Sequence, residues 1–238
     1  MQNLLLARLP PADLDLLSVH MRVVRLSVAL APQHRTDSQA YFPHGGAVSS
    51  GVVVSDGRFI PSAVVGRDGV VGGPAALHDR PDWGRFEVHV DAMASAIGHE
   101  VLREATARSP AIRSMLLQHQ NFLLFQAQWI AACNACHNLE QRFSSCLVRF
   151  ENVCGQTILP LKQEIIAQIL GVQRTSVNVI ARRMQQGGII RIRRGNIQVL
   201  NQEALEEAAC DCARNIRLQY RTLFGALPTL DHPDAVLA

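Results

Sequence analysis

Gln173, Arg174, Thr175, Asn178 and Arg182 fall on one side of a stretch whose other side is apolar, and with the neighbouring Ser176 and Arg183 they suit the edge of a nucleic acid duplex. A guanidinium at Arg174 can bridge O6 and N7 of guanine, a pairing worth about 1–3 kcal/mol of discrimination. Thr175 and Asn178 suit a thymine methyl and an adenine edge, while Arg182, Arg183, Arg193 and Arg194 suit phosphates. A second set of reactive residues is sulfur. Cys133-Asn-Ala-Cys136-His137 has the spacing of a covalent c-type haem attachment, and Cys210-Asp-Cys212 could join a metal site.

The elements that must present the first set are two short helices and a hairpin across residues 162–200. Ala167 is small where the second helix crosses the first, and Gly171 tolerates the positive φ of a sharp turn. Val172, Val177 and Ile180 then pack back against Ile166 and Leu170. Ile189–Ile192 and Ile197–Leu200 flank Arg193-Arg194-Gly195-Asn196, a predicted β-wing. Residues 156–200 hold seven cations against Glu164 alone, a net charge of +6. The alternative is an ordinary charged αα-hairpin; the pattern points instead to double-stranded DNA as partner.

Over the whole 238-residue chain the net charge is only +3, and residues 1–109 carry 10 arginines against 11 acids, so the basic character is local. With 48% hydrophobic and 18% charged residues the composition is globular, with room for one large domain or two ordinary ones. No apolar run reaches transmembrane length, and no charged n-region precedes the short apolar run of MQNLLLARLPPADLDLL. A cytoplasmic chain without a membrane partner is expected. All six cysteines lie in the second half, where reduced thiols are the default for such a chain.

Residues 1–20 read as one or two short helices, with Pro10-Pro11 opening the second. Residues 21–98 hold short β-branched runs (MRVVRLSVAL, GAVSSGVVVSDG, RFIPSAVV, GVVG, RFEVHV) between glycine turns, which predicts a small β-barrel or jelly roll. Ser109-Pro110 opens a long helix with a hydroxyl N-cap and a proline at the first position. A helix over residues 110–138 would run about 43 Å. Its apolar pairs Met115/Leu116, Phe122/Leu123 and Trp129/Ile130 recur every seven residues and need a partner, either the chain's own barrel or a two-fold mate. A homodimer seam is expected, with His119 and Gln126 between the pairs to set register.

Barrel, long helix and winged helix-turn-helix, in that order, resemble the CRP/FNR superfamily of bacterial transcription regulators. The marks are YFPHGGAVSS (41–50), VGRDGVVGG (65–73), AACNACHNLEQRF (131–143), LPLKQEIIAQILGVQRTSV (159–177) and GGIIRIRRGNIQVLN (187–201), and the resemblance covers residues 2–221. It implies an α+β chain: a cyclic-nucleotide-binding-type β-roll over 1–108, a dimerisation helix over 109–138, a winged helix-turn-helix over 139–224 and a loose tail over 225–238. It further implies a homodimer that regulates transcription at a palindromic promoter site, with half-sites about one helical turn apart. RNA polymerase is an expected further partner.

Several departures from that family bear on function. Members that bind cyclic AMP carry a glycine–glutamate pair for the ribose and, later, an arginine–serine or arginine–threonine pair for the phosphate. Here the first reads Gly72-Gly73 and the second falls near Trp83-Gly84, with Arg80 and Arg85 off the expected offset, so cyclic AMP is not expected as effector. The iron–sulfur branch uses N-terminal cysteines, and none precedes Cys133. His20, His34, His44, His78, His89 and His99 are available as haem ligands, none in a diagnostic setting. In the second helix, Thr175 and Val179 stand where many members have an acid and a second arginine. At the first, Lys162 replaces the usual capping threonine.

Cysteine chemistry leaves two readings. Covalent haem attachment needs an oxidising compartment. Inside a helix Cys133 and Cys136 share a face, either as small buried hydrophobes or as a redox-responsive pair across the dimer. Cys210-Asp-Cys212 has no second pair at zinc-finger spacing and reads as structural, so no metal or cofactor is predicted. An enzyme on a cupin-like roll would want a His-x-His motif and a carboxylate. Glu87 and His89, two apart on one strand face, are the nearest approach, and no Ser–His–Asp set or phosphate loop accompanies them. No enzymatic activity is expected.

Overall fold

The computed structural model describes residues 3–28, 34–35, 38–77 and 85–225, with residues 34 and 35 described by their backbone alone. A 3-10 turn, Leu6–Arg8, precedes helix α1, Pro11–Ser18, which opens with proline at its first position. Strands β1 Arg22–Leu26, β2 His34–Arg35, β3 Gln39–Pro43, β4 Ala47–Val53, β5 Phe59–Val65, β6 Arg85–Val90 and β7 Ala92–Gly98 follow. They form two antiparallel sheets, ordered β1-β7-β3 and β2-β6-β4-β5. The roll expected from the β-branched runs is present, with two differences. Residues 69–72 make no strand, contributing only a bridge between Val71 and Tyr41. Conversely β7, AMASAIG, has weak strand propensity, yet it is the central strand of its sheet. Its buried Ala92, Ala94 and Ala96 let the strand sit inside the roll, and pairing on both edges overrides propensity.

Helix α2, His99–Arg108, leads into Ser109, whose extended backbone separates it from α3, Pro110–Cys136. The predicted start holds: Ser109 Oγ accepts from the Ile112 amide at 3.1 Å, and Pro110 is the first helical residue. The helix has 27 residues and stops at Cys136, because His137 turns extended. Helix α4, Leu139–Cys154, restarts at once behind a capping box in which Asn138 accepts from the Gln141 amide and the Gln141 side chain accepts from the Asn138 amide.

The C-terminal unit continues with β8 Ile158–Leu159, α5 Gln163–Leu170, α6 Arg174–Gln186, β9 Ile190–Arg193, β10 Asn196–Val199, α7 Gln202–Ala208 and α8 Asp211–Phe224. Its core runs through Phe143, Leu147, Phe150, Ile166, Ala167, Val177, Ile180, Met184 and Ile197, and the same cluster takes in Ala47, Val64 and Val90 of the roll. The two units therefore share apolar burial within the chain. Helix α8 doubles back along α3, where Tyr220 and Phe224 meet Phe122 edge-on and the Arg8 guanidinium lies 5.8 Å over the Tyr220 ring.

This packing corrects the expected role of the α3 stripe. Met115, Leu116 and Phe122 are buried by their own chain, in a cluster with Leu5, Val70, Leu102, Tyr220 and Phe224. Leu123, Trp129 and Ile130 are half-buried. His119 and Gln126 also turn inward rather than toward a dimer mate. His119 Nε2 accepts from the Val70 amide at 3.4 Å, and Gln126 exchanges two hydrogen bonds with the Val64 backbone, at 3.2 and 3.3 Å. The β-roll and α8 thus take Met115, Leu116 and Phe122 from the period-seven stripe and leave Leu123, Trp129 and Ile130 partly open. The large apolar residues that α3 leaves to solvent are Leu117 and Leu124, 42% and 59% exposed, with the exposed Ala131 one further heptad along.

Candidate nucleic-acid interface

Helix α5 ends where Gly171 takes φ 65°; its amide and that of Val172 bond back to the carbonyls of Gln168 and Ala167. That turn throws α6 across α5 with Ala167 and Val177 buried at the contact. Lys162 stands at the α5 N-cap with no side-chain hydrogen bond to the helix. On α6 the buried side is Val177, Ile180, Ala181 and Met184, so Arg174, Thr175, Asn178 and Arg182 are turned outward. Gln173, Arg174, Thr175, Arg182 and Arg183 are exposed, and Ser176 and Asn178 half-buried. No acid lies on the helix, and Val179, 59% exposed, puts a bare apolar side chain between the polar ones. Arg183 is committed elsewhere, 2.8 Å from Glu140 on α4, so it meets a phosphate only in competition with that carboxylate.

The hairpin forms one residue later in its first strand than expected. Arg193 pairs with Asn196, and Gly195 takes the positive φ of 80° that closes the turn. Arg193 and Arg194 are both exposed at its tip. Gln185 near the end of α6 accepts from the Ile192 amide at 2.7 Å and so ties the wing to the helix. Arg142, on α4, donates to the Leu170 carbonyl at the end of α5 and to Asn134 of α3. The two-helix unit is thereby hydrogen-bonded to the long helix. No role was expected of Arg142, and nothing in its sequence setting marks it.

Residues 141–208 match the family of Crp-like helix-turn-helix domains. That segment spans α4 to α7 and includes both helices of the turn and the wing. Among solved structures, FixK2 from Bradyrhizobium japonicum is 18% identical with a TM-score of 0.65, over 80% of this chain and 98% of that one. A CRP/FNR-family transcriptional regulator from Thermus thermophilus is 19% identical with a TM-score of 0.64, over 79% and 98%. The c-di-GMP-responsive global regulator CLP of Xanthomonas campestris is 15% identical with a TM-score of 0.62, over 80% and 99%. At such identities the likeness is one of fold, and the chain has the CRP/FNR fold from the roll through the Crp-like domain. No curated protein is similar enough in sequence to match.

Elsewhere the sequence candidates separate. In the roll, Gly73 opens a 3-10 turn, Gly73–Ala76; a Cβ there would lie 2.9 Å from a Val70 methyl and 3.3 Å from a Leu116 methyl, so any side chain would have to displace them. Arg80, Trp83 and Gly84 lie outside the described residues, as do the His34 and His78 side chains and residues 226–238 of the expected tail. Of the other histidines, His20 is exposed and His99 buried at the start of α2. His44 bonds Ser95 Oγ at 2.9 Å. His89 is buried against Phe150, with ring centroids 5.9 Å apart, and burial pushes its pKa down to about 4. Glu87, two residues before it, accepts from Gln168 of α5 at 3.0 Å, so this pair joins the roll to the Crp-like segment, and among the described residues no metal-ligand group forms around it.

Two expectations about the cysteines are corrected. Cys133 and Cys136 do not face the same way: Cys133 is buried and Cys136 exposed, because α8 closes over one flank of the helix end. Nor does Cys210-Asp-Cys212 stand without companions. Cys133 Sγ lies 3.5 Å from Cys210 Sγ, and His137 Nδ1 lies 3.6 Å from Cys212 Sγ. The pairs are 77 and 75 residues apart in sequence, which is why spacing rules pass over them. The legible signal was Cys133 and His137, four apart in the helix that the sequence predicts to run through residue 138, although the observed helix ends one residue before His137. Burial pushes the Cys133 thiol up to about 11 and raises Cys212 as well. At Cys210 burial pulls the same way, but hydrogen bonds from Ser145, the Cys212 backbone and the neighbouring thiols outweigh it, and its pKa lies below the usual value.

Proposed function

We infer that this chain is a homodimeric, DNA-binding transcription regulator that reads a palindromic site through α6 and holds the backbone with its wing. The observation that carries the reading is the outward, acid-free face of α6 in the Crp-like domain, continued by Arg193 and Arg194 at the wing tip. Arg174, Thr175 and Asn178 read base edges, with Gln173 and Ser176 beside them at the helix start. Arg182, Arg193 and Arg194 hold phosphates, joined by Arg183 when it leaves Glu140. The dimer seam follows Leu117, Leu124 and Ala131, with half-buried Leu123 and Ile130 at its border. Because Gly72-Gly73 stands where cyclic-AMP-binding members carry the ribose-binding acid, the regulator works without cyclic AMP. RNA polymerase is its further partner. Among the described residues no helix is long and apolar enough to cross a membrane, and none of the roll's polar groups forms a catalytic set.

The test is selection of bound sequences from a random DNA pool by the purified full chain at stated salt. Enrichment of an inverted repeat with half-sites about one helical turn apart is the expected result. A protein that is folded and dimeric but enriches no sequence, at low salt and with cell extract added as a source of effectors, would contradict the reading.

A further inference from the structure

The end of α3, the head of α8 and the segment between α7 and α8 bring together four groups with ligand character. Sγ of Cys133, Cys210 and Cys212 and a ring nitrogen of His137 all lie within 4.8 Å of one another. Tetrahedral zinc with Zn–S near 2.3 Å sets its ligand atoms about 3.8 Å apart. The observed 3.5 Å between Cys133 and Cys210, and 3.6 Å between Cys212 and His137 Nδ1, fit a mononuclear site. An iron–sulfur cluster is larger and needs its cysteines splayed further. We propose that Cys133, His137, Cys210 and Cys212 hold one zinc ion in a Cys3His site that fastens α3 to α8.

The surroundings are built for such a site. Ser145 Oγ lies 3.0 Å from Cys210 Sγ and accepts from the Cys210 amide at 3.1 Å, fixing that ligand from α4. Cys210 is the N-cap of the 14-residue α8, whose N-terminal dipole favours a thiolate. Trp129 packs against the three cysteines from the apolar side, and Arg142 is near enough to favour the Cys133 thiolate. Binding replaces three S–H bonds with three S–Zn bonds and releases three protons to solvent; His137 coordinates through Nδ1 as neutral imidazole and keeps its proton on Nε2. Three thiolates and Zn2+ leave a net charge of −1, which Arg142 offsets. The ion closes a loop of more than seventy residues, between Cys133 and Cys212, at the joint between the long helix and the Crp-like domain. The proposal stands whether or not α6 reads DNA.

The experiment uses the full chain, reduced and stripped of metal by a chelator, and titrates it with Co2+ as a spectroscopic probe. The expected result is one Co2+ per protomer, with intense tetrahedral d–d bands and thiolate-to-cobalt charge transfer, both erased by one equivalent of Zn2+. His137→Ala and Cys212→Ser should weaken binding by more than the roughly 10–100-fold that loss of an outer-shell partner costs, and Cys136→Ser should leave it unchanged. Circular dichroism shows whether each variant is folded, and the wild-type titration decides the matter without them. Absence of stoichiometric tetrahedral binding by the folded wild-type chain would overturn the proposal. So would iron with acid-labile sulfide in the protein as isolated, or a Cys133–Cys210 disulfide that persists in cytosol-like reducing buffer.

Discussion

Gln126 is the polar pin between α3 and the roll, and its replacement by leucine has a calculable cost. The side chain is buried; Oε1 accepts from the Val64 amide at 3.2 Å and from Arg149 Nη2 at 2.9 Å, while Nε2 donates to the Val64 carbonyl at 3.3 Å. Leucine has similar volume, so packing changes little. It leaves a backbone donor, a backbone acceptor and a guanidinium without partners, and each unsatisfied neutral group costs about 1–3 kcal/mol, a charged one more. Gln126→Leu is therefore expected to destabilise by at least about 3 kcal/mol in total. Arg149→Met in the same chain removes the stranded charge, so the double variant should recover about 1–2 kcal/mol of that loss. The measurement is guanidinium unfolding followed by circular dichroism and tryptophan fluorescence at one fixed protein concentration, with coincident transitions required. A Gln126→Leu variant within about 0.5 kcal/mol of the parent would refute the account.

Acid should weaken the fold through its buried histidines. Burial holds His89 near 4 and His119 near 3, whereas an unfolded histidine titrates near 6.5, so the unfolded chain binds more protons and stability is lost as pH falls below about 6.5. His89→Phe, which keeps the contact with Phe150, should remove about 3 kcal/mol of the loss between pH 6.5 and 4; an unaltered pH profile of Tm would count against it. Arg174→Ala should relax preference at one base pair with little change in salt slope, and joint alanine replacement at Arg193 and Arg194 should reduce the slope of log K against log salt by about 2 at every sequence. Identical behaviour of the two variants in a binding titration would end that division of labour. Leu124→Glu should yield folded monomers at micromolar concentration by sedimentation, and a dimer indifferent to it would move the seam off that face of α3.

The helix-turn-helix was legible because its residues act locally: a small Ala167 at a crossing, a left-handed Gly171, an apolar face on Val177 and Ile180. The Ser109-Pro110 start was legible for the same reason. What escaped was decided across the chain. Period-seven leucines and phenylalanines announce that α3 is buried but not what buries it, and α8, from the far end of the chain, took Phe122 that a partner helix was expected to claim. The alanines of β7 carry no strand signal until two neighbouring strands pair with them. At the cysteines, each half of the cluster looks incomplete because its complement lies more than seventy residues away.

The return of α8 along α3, with Arg142 tying Asn134 to the end of α5, couples the long helix to the helix-turn-helix within the chain, as in a lever. In a homodimer built on α3, a signal would then reach DNA as an angle between two rigid arms. A helix of 27 residues is about 40 Å long, so a turn of ~10° at one end displaces the other by roughly 7 Å, the rise of about two base pairs. A dimer so geared would need no large movement at its sensing end to carry its reading heads in or out of register with two successive major grooves.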